Sequence, residues 1–264
     1  MNETASQAEI DAATAYEQLF VNALFAEWAP RVLEASRIEP GARVLDIACG
    51  TGVLARAVGD GIDGARVVGL DAAPGMVAVA KRRAPAIDFR LGTAESLPFP
   101  DASFDAIVSQ FGLMFFTDRP AAVSELLRVL RRKGRFAVAV WGELAENAGY
   151  DTLVSLLDQT AGRDAANALR TPFSLGDPAE LSGLFAGADD VNVTTVFGTA
   201  RFPSIRVMVD AELRGWLPLV SVHLDDRRID TLLDQAETAL APFVTSKGTV
   251  EFGTTAHIVS GASR

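Results

Sequence analysis

Two carboxylates flanking a bend of small residues are where this chain could do chemistry. Asp46 lies near the end of an apolar run, Val44-Leu45-Asp46-Ile47, which leads at once into Ala48-Cys49-Gly50-Thr51-Gly52. Asp71 closes a second apolar run, Arg66-Val67-Val68-Gly69-Leu70, 19 residues beyond Gly52. Glycines at a strand end let the backbone approach a ligand closely and take positive φ. A helix beginning at Val53, with Leu54, Ala57 and Val58 on one side, would present unpaired amides and a positive dipole end to that ligand.

Asp46 bears on what the bend holds. A dinucleotide lays its pyrophosphate over the helix N-terminus, and a carboxylate there opposes its charge. A ligand that carries an ammonium and a sulfonium and no phosphate suits the site, and S-adenosylmethionine (SAM) is that ligand. Asp71 is placed to accept hydrogen bonds from both ribose hydroxyls. The spacing Gly50-x-Gly52-x-x-Ala55 with Asp71 also fits the fingerprint of an NAD(P)-dependent oxidoreductase, which is the alternative. Against it stand Asp46, the lack of a Tyr-x-x-x-Lys motif and the lack of a second cofactor-domain signal.

Four segments in order resemble one known family. They are Val44 to Gly52, Gly69-Leu-Asp-Ala-Ala-Pro-Gly-Met76, Gly92-Thr-Ala-Glu-Ser-Leu-Pro-Phe-Pro-Asp-Ala-Ser-Phe-Asp105, and Leu126-Leu-Arg-Val-Leu-Arg-Arg-Lys-Gly-Arg135. Together they resemble the class I SAM-dependent methyltransferases, in particular the branch with the ubiquinone and menaquinone C-methyltransferases (methyltransferase type 11), over roughly residues 40–142. The resemblance implies a Rossmann-like α/β fold: a seven-stranded sheet of order 3-2-1-4-5-7-6, the last strand antiparallel, with helical cap insertions. It implies cofactor contacts at Asp46, Ala48, Cys49, Gly50, Gly52, Asp71, Ala72 and Met76, the last packing on adenine. Thr93 stands where the family usually has Asp, so adenine recognition shifts toward Ala94 and Glu95. Ser109, Gln110 and Phe111 emerge at the carboxyl end of the fourth strand, where an open α/β sheet places its ligand crevice, and the family's equivalents touch the methionine moiety and the transferring methyl.

Ser-Gln-Phe-Gly at 109–112 replaces the Asn/Asp-Pro-Pro-aromatic motif of base- or glutamine-methylating enzymes, and no Pro-Cys nucleophile is present. Nucleic acid is therefore not an expected substrate. The net charge of −10 agrees, because duplex binding needs clustered Lys and Arg. The basic run Arg128-Arg131-Arg132-Lys133-Arg135 fits a solvated helix C-terminus better than a binding patch. Methyl transfer from a sulfonium is an in-line displacement needing alignment and exclusion of water, so no fixed triad is expected. Of the two histidines, His257 sits within the closing strand pattern and reads as structural. His223, beside Asp225 and Asp226, is the base candidate. No cluster has metal-ligand spacing. The single cysteine, Cys49, excludes an intramolecular disulfide and reads as packing in the bend.

These residues must be positioned by elements that the periodicity predicts. A length of 264 residues and 49% hydrophobic content suit one globular domain, the SAM-binding core lying at about 40–142. Residues 1–12 are expected to be loose. One or two amphipathic helices broken at Pro30 follow over about 13–37, their aromatic residues, Tyr16 among them, either packing on the sheet or covering the cofactor as a lid. The helix expected over Pro120 to Arg132 is capped by Gly134. Cap segments are expected at about 145–185 and 203–245, with helices over Tyr150–Gly162, Asp177–Ala186, Ser204–Trp216 and Asp226–Val244. Strands are expected over Val191–Phe202 and Thr249–Ser260. The cap carries Phe173, Met208 and Trp216, which with Trp141 at the end of the fifth strand are the candidate substrate contacts. The substrate is then a small, largely apolar metabolite, its accepting atom O, N or C. The polar N-terminus (Asn2, Glu3, Asp11) shows no signal-peptide pattern and no run is apolar enough to cross a bilayer. A cytoplasmic monomer or homodimer is the expectation.

Overall fold

The computed structural model describes residues 5–264, of Leu219 only the backbone. Asn2 and Glu3 lie outside the described residues. Seven strands, β1 (Arg43–Ile47), β2 (Arg66–Asp71), β3 (Asp88–Leu91), β4 (Phe104–Gln110), β5 (Leu130–Trp141), β6 (Asp189–Phe202) and β7 (Val250–Ala262), form one sheet of order β3-β2-β1-β4-β5-β7-β6. β7 runs antiparallel to both β5 and β6, and the pairs among β1 to β5 are parallel. This is the order and strand polarity that the resemblance implied. In β1, Val44, Leu45, Asp46 and Ile47 are all buried, as a central parallel strand covered on both faces requires.

Helices α1 (Gln7–Phe20), α2 (Ala29–Ser36), α3 (Val53–Gly61), α4 (Pro74–Arg83) and α5 (Arg119–Val129) accompany the first five strands. A π-helical turn, Val21–Phe25, separates α1 from α2, and Pro30 sits in the first turn of α2 where its missing N–H has no intrahelical role. The opening residues are ordered sooner than expected. Ser6 caps α1 through a reciprocal hydrogen-bond pair with Glu9, a capping box that Ser6 and Glu9 announce by their spacing. α5 stops at Val129, short of Arg132, because Leu130 is drawn into the sheet opposite Phe104 and buried there. Gly134 is accordingly a strand residue, its Cα facing the Asp105 carbonyl too closely for a Cβ, and not a helix cap. Two residues of the basic run pair at the surface: Arg128 binds Glu125 and Asp101, and Arg131 binds Asp105.

Beyond β5 the cap consists of α6 (Ala148–Thr160), α7 (Arg163–Arg170), α8 (Pro178–Leu184), α9 (Ile205–Asp210), a π-helical turn Ala211–Trp216, the short α10 (Leu217–Leu219) and α11 (Asp226–Ala239). α6 packs on α7 and α11, and α9 packs on α11. The helix expected over Ser204–Trp216 is thus split. Its second half is π, a form that recurs beside functional sites. Among the described residues no helix is long and apolar enough to cross a membrane.

Candidate functional site

The bend after β1 is built from three residues in left-handed backbone, Ala48 (φ 56°), Gly50 (φ 54°) and Gly52 (φ 87°). At Gly52 a Cβ would come within 2.8 Å of the Phe89 ring, so close packing and conformation both demand glycine. The bend's amides are already engaged. Gly50 N–H donates to Asp71 Oδ2 at 2.8 Å, Ala73 N–H donates to Asp71 Oδ1 at 2.9 Å, and Gly52 N–H donates to the Cys49 carbonyl at 2.8 Å. A diphosphate would find a carboxylate in place of the free Gly50 amide it needs.

Asp46 is 1% exposed, and neither of its carboxylate oxygens has a hydrogen-bond partner. The Ala55 amide approaches it without meeting hydrogen-bond geometry. Burial pushes its pKa well above the ordinary 3.8, the Ala55 amide opposing and the negative Asp71 adding to the rise. Asp71 is half-buried; burial raises its pKa too, against the pull of the Ala73, Gly50 and Ala72 amides. A carboxylate offers about four lone-pair sites, so both Asp71 oxygens keep capacity for a diol. Ser109 Oγ and Gln110 Oε1, at the end of the neighbouring β4, are likewise buried without partners. The Gln110 amide donates to the Phe25 carbonyl at 3.0 Å. Burial holds Cys49 as a neutral thiol, in keeping with its packing role.

Two cavities meet here. A small one of about 30 Å³ is enclosed by Asp46, Ala48, Cys49, Gly50, Gln110, Tyr16 and Phe25, among others. A large one of about 950 Å³ runs from Ala73, Gly75 and Met76 at the start of α4 to the cap helices. Tyr16 and Phe25 line both and form the partition, their rings stacked 5.5 Å apart. Burial and the nearby Asp71 and Glu17 charges keep the Tyr16 hydroxyl protonated far above neutral pH. Glu17, one residue on and 7% exposed, fixes this partition to the bend: it accepts from Thr51 Oγ1 at 2.5 Å and from Arg56 at 2.9 Å, and pairs with Arg83 at 3.1 Å. α1 also lies directly over α4, where a Cβ on Gly75 would come within 2.3 Å of the Glu9 carbonyl.

The large cavity is lined with aromatic side chains. Phe111 stacks on Trp141 at 3.8 Å and 9°, and Trp28 meets both edge-on. Phe111 therefore faces the large cavity and not the small one. Trp141, Phe173 and Trp216 line the same space. Met208 does not. It is fully buried in the core, while Val207, one residue earlier, reaches the cavity. His223 is exposed and lines neither cavity, so it has no place as a base; flanking carboxylates do not bring a loop residue into a pocket. His257 bonds Thr195 Oγ1 and the Gly176 carbonyl, a structural role. Thr93, Ala94 and Glu95 follow β3 outside both cavities, and Glu95 accepts the Thr117 amide at 2.9 Å. Ala72 is exposed beside Asp71.

Sequence reasoning missed a polar pair in the large cavity. Glu212, 4% exposed, accepts a hydrogen bond from Tyr150 Oη at 2.8 Å. Burial lifts its pKa to about 7, the Tyr150 hydrogen bond opposing. The available signal was an acid beside Leu213 in the mostly apolar stretch Val207 to Leu213, which also holds Asp210, and one of only two tyrosines in the chain.

Comparison with known proteins matches residues 45–138 to a methyltransferase domain family. A demethylmenaquinone methyltransferase of Beutenbergia cavernae is 46% identical over 112 residues, covering 42% of this chain and 46% of that protein. A malonyl-[acyl-carrier protein] O-methyltransferase of Serratia marcescens is 40% identical over 118 residues, covering 44% and 46%. The chain thus spans about half the length of the curated relatives it matches. In fold it is similar to the YcgJ protein of Bacillus subtilis (TM-score 0.59, 22% identity, covering 90% of this chain and 98% of that one). It is also similar to phosphoethanolamine N-methyltransferase 2 of Haemonchus contortus, solved with S-adenosylhomocysteine (TM-score 0.61, 17% identity, covering 98% and 58%). Residues 45–138 are thus similar in sequence to a methyltransferase domain, and the chain as a whole is similar in fold to these solved structures.

Proposed function

We propose that this chain is a SAM-dependent methyltransferase acting by direct displacement on a small, largely apolar metabolite. The observation that carries the proposal is Asp46: a fully buried carboxylate, with no partner for either oxygen, at the mouth of the glycine bend. Ionised, such a group is stabilised only by a cationic guest; without one, burial favours its neutral form. In this reading Asp46, Ser109 and Gln110 receive the amino-acid end of SAM and Asp71 receives the ribose. Ala72 and Met76 flank the adenine. When bound, SAM supplies a methyl group already activated on a positively charged sulfur.

The protein's own part is to align and to dry. Tyr16 and Phe25 close the small cavity, which has room for about one water at most, so cofactor entry requires the α1 and π-turn partition to shift, merging the two cavities. Phe111, Trp141, Phe173 and Trp216 then wall a water-poor space for the acceptor, where alignment alone can supply much of the rate. The dinucleotide alternative draws no support from the matched family or relatives, and the engaged Gly50 amide opposes it. The net charge of −10 supports a small-molecule partner over nucleic acid. We further propose a cytoplasmic monomer or homodimer.

Isothermal titration tests the reading. SAM and S-adenosylhomocysteine should both give saturable heat, and NADH none. Silence from both at millimolar concentration, or binding of NADH in their place, refutes it.

A further inference from the structure

The small cavity is rich in hydrogen-bond acceptors and short of donors. Asp46 and Gln110 both border it, and neither carboxylate oxygen of Asp46 nor Oε1 of Gln110 has a partner. The Gln110 amide nitrogen is already spent on the Phe25 carbonyl. Among the described residues no Lys, Arg or His lines this cavity. The titratable groups around Asp46 are Cys49 in the bend, Asp71 on β2, Tyr16 on α1, and Glu17 on α1 behind Thr51. Arg56 on α3 and Arg83 on α4 are both taken by Glu17. The charge that acts on Asp46 is that of Asp71, and it is negative. The two acids are also unequally supplied with donors. Asp71 receives the Gly50 and Ala73 amides at 2.8 and 2.9 Å, which favours its charged form. Asp46 receives none. A proton shared between the two therefore rests on Asp46, where its O–H is the donor this cavity lacks.

We propose that Asp46 stays protonated in the free protein and exchanges that proton for the ammonium group of the cofactor, so that cofactor binding releases a proton and weakens in acid. The proposal rests on the methyltransferase reading and adds a regulation of the same site by pH. In the exchange the carboxylic O–H passes its proton to a base in solution, and the N–H donors of the ammonium take its place. The pair of carboxylate and ammonium is neutral, as the acid was, so no net charge is left in the buried space. The acid brings one donor and the ammonium three, which serves the unpartnered Gln110 Oε1 at the same cavity as well. The sign follows from linkage: binding is coupled to ionisation of Asp46, so it loses strength as pH falls below the free protein's pKa, which burial and the Asp71 charge both raise.

The test is calorimetric titration of the intact protein with S-adenosylhomocysteine, which keeps the ammonium, at about pH 5.5. There an ordinary aspartate is ionised and an α-amino group, of pKa about 7.7–8.0, is fully charged. Repeated in phosphate, MES and Bis-Tris, whose ionisation heats differ, the measured heat should change with the buffer as release of about one proton per molecule bound requires. Methylthioadenosine, which keeps the ribose and adenine and lacks the ammonium, should bind without that release. So should S-adenosylhomocysteine on Asp46→Asn. Wild-type affinity for S-adenosylhomocysteine should fall by about tenfold per pH unit toward acid, while that for methylthioadenosine stays level. If one control binds too weakly to titrate, the other decides. Heat that is the same in every buffer, an equal release with methylthioadenosine, or an equal release on Asp46→Asn overturns the proposal and leaves the methyltransferase reading standing. No heat from S-adenosylhomocysteine in any buffer sinks both.

Discussion

Asp46→Asn should make the ligand-free protein more stable and its cofactor binding weaker. In the folded chain the Asp46 carboxylate is buried with both oxygens unpaired. An unsatisfied buried polar group costs about 1–3 kcal/mol and a charged one more, so replacing it by a neutral isostere should return about 1–3 kcal/mol. For a chain of this size each kcal/mol moves Tm by about 2–4 °C. The pH dependence fixes the cause. The folded-state pKa lies above the unfolded value of 3.8, so the folded protein resists ionisation, and the penalty appears as pH rises from 3.8 toward the folded pKa. Wild type and variant should therefore unfold alike in acid and diverge above it. SAM affinity should fall about ten- to a hundredfold, the 1.5–3 kcal/mol of a charge-assisted hydrogen bond. Denaturant unfolding across pH, paired with titration calorimetry, measures both. A variant less stable than wild type at neutral pH, or one that binds SAM equally well, would refute the assignment of Asp46 as an unpaired acid awaiting a cation.

Asp71→Ala should weaken SAM binding by about 1–3 kcal/mol and also loosen the bend, because the Gly50 and Ala73 amides lose their acceptor; unchanged affinity by calorimetry would show the ribose lies elsewhere. Glu17→Ala should destabilise by about 1–3 kcal/mol, since Thr51, Arg56 and Arg83 all lose a common partner, and hydrogen exchange of α1 should quicken before that of the sheet. Gly75→Ala should likewise lift α1 from α4 through its clash with the Glu9 carbonyl, visible as earlier proteolysis within residues 7–20. His223→Ala should leave SAM binding and methyl transfer at the wild-type level, as an exposed side chain outside both cavities predicts.

The sequence by itself determined the sheet. Val44 to Gly52 and Arg66 to Asp71 carry their own signals, because a buried parallel strand must be apolar, and a bend at positive φ must be glycine or small. The positions of Asp46 and Asp71 were legible for the same reason: each sits at or near a strand end whose place in the topology is fixed. The tertiary structure alone decided which side of the cap faces the large cavity. Met208 and Val207 are neighbours of like polarity, and only the packing of α9 in the cap turns one into core and the other into cavity wall. Glu212 was hidden because a π turn displaces the helix phase on which periodicity rests, and because its partner Tyr150 is 62 residues away. His223 misled for the converse reason: charge in the adjacent sequence says nothing of distance in space. Local patterns specify elements, since propensity and burial act over a few residues, whereas a pocket is assembled from side chains that meet only after the chain has closed on itself.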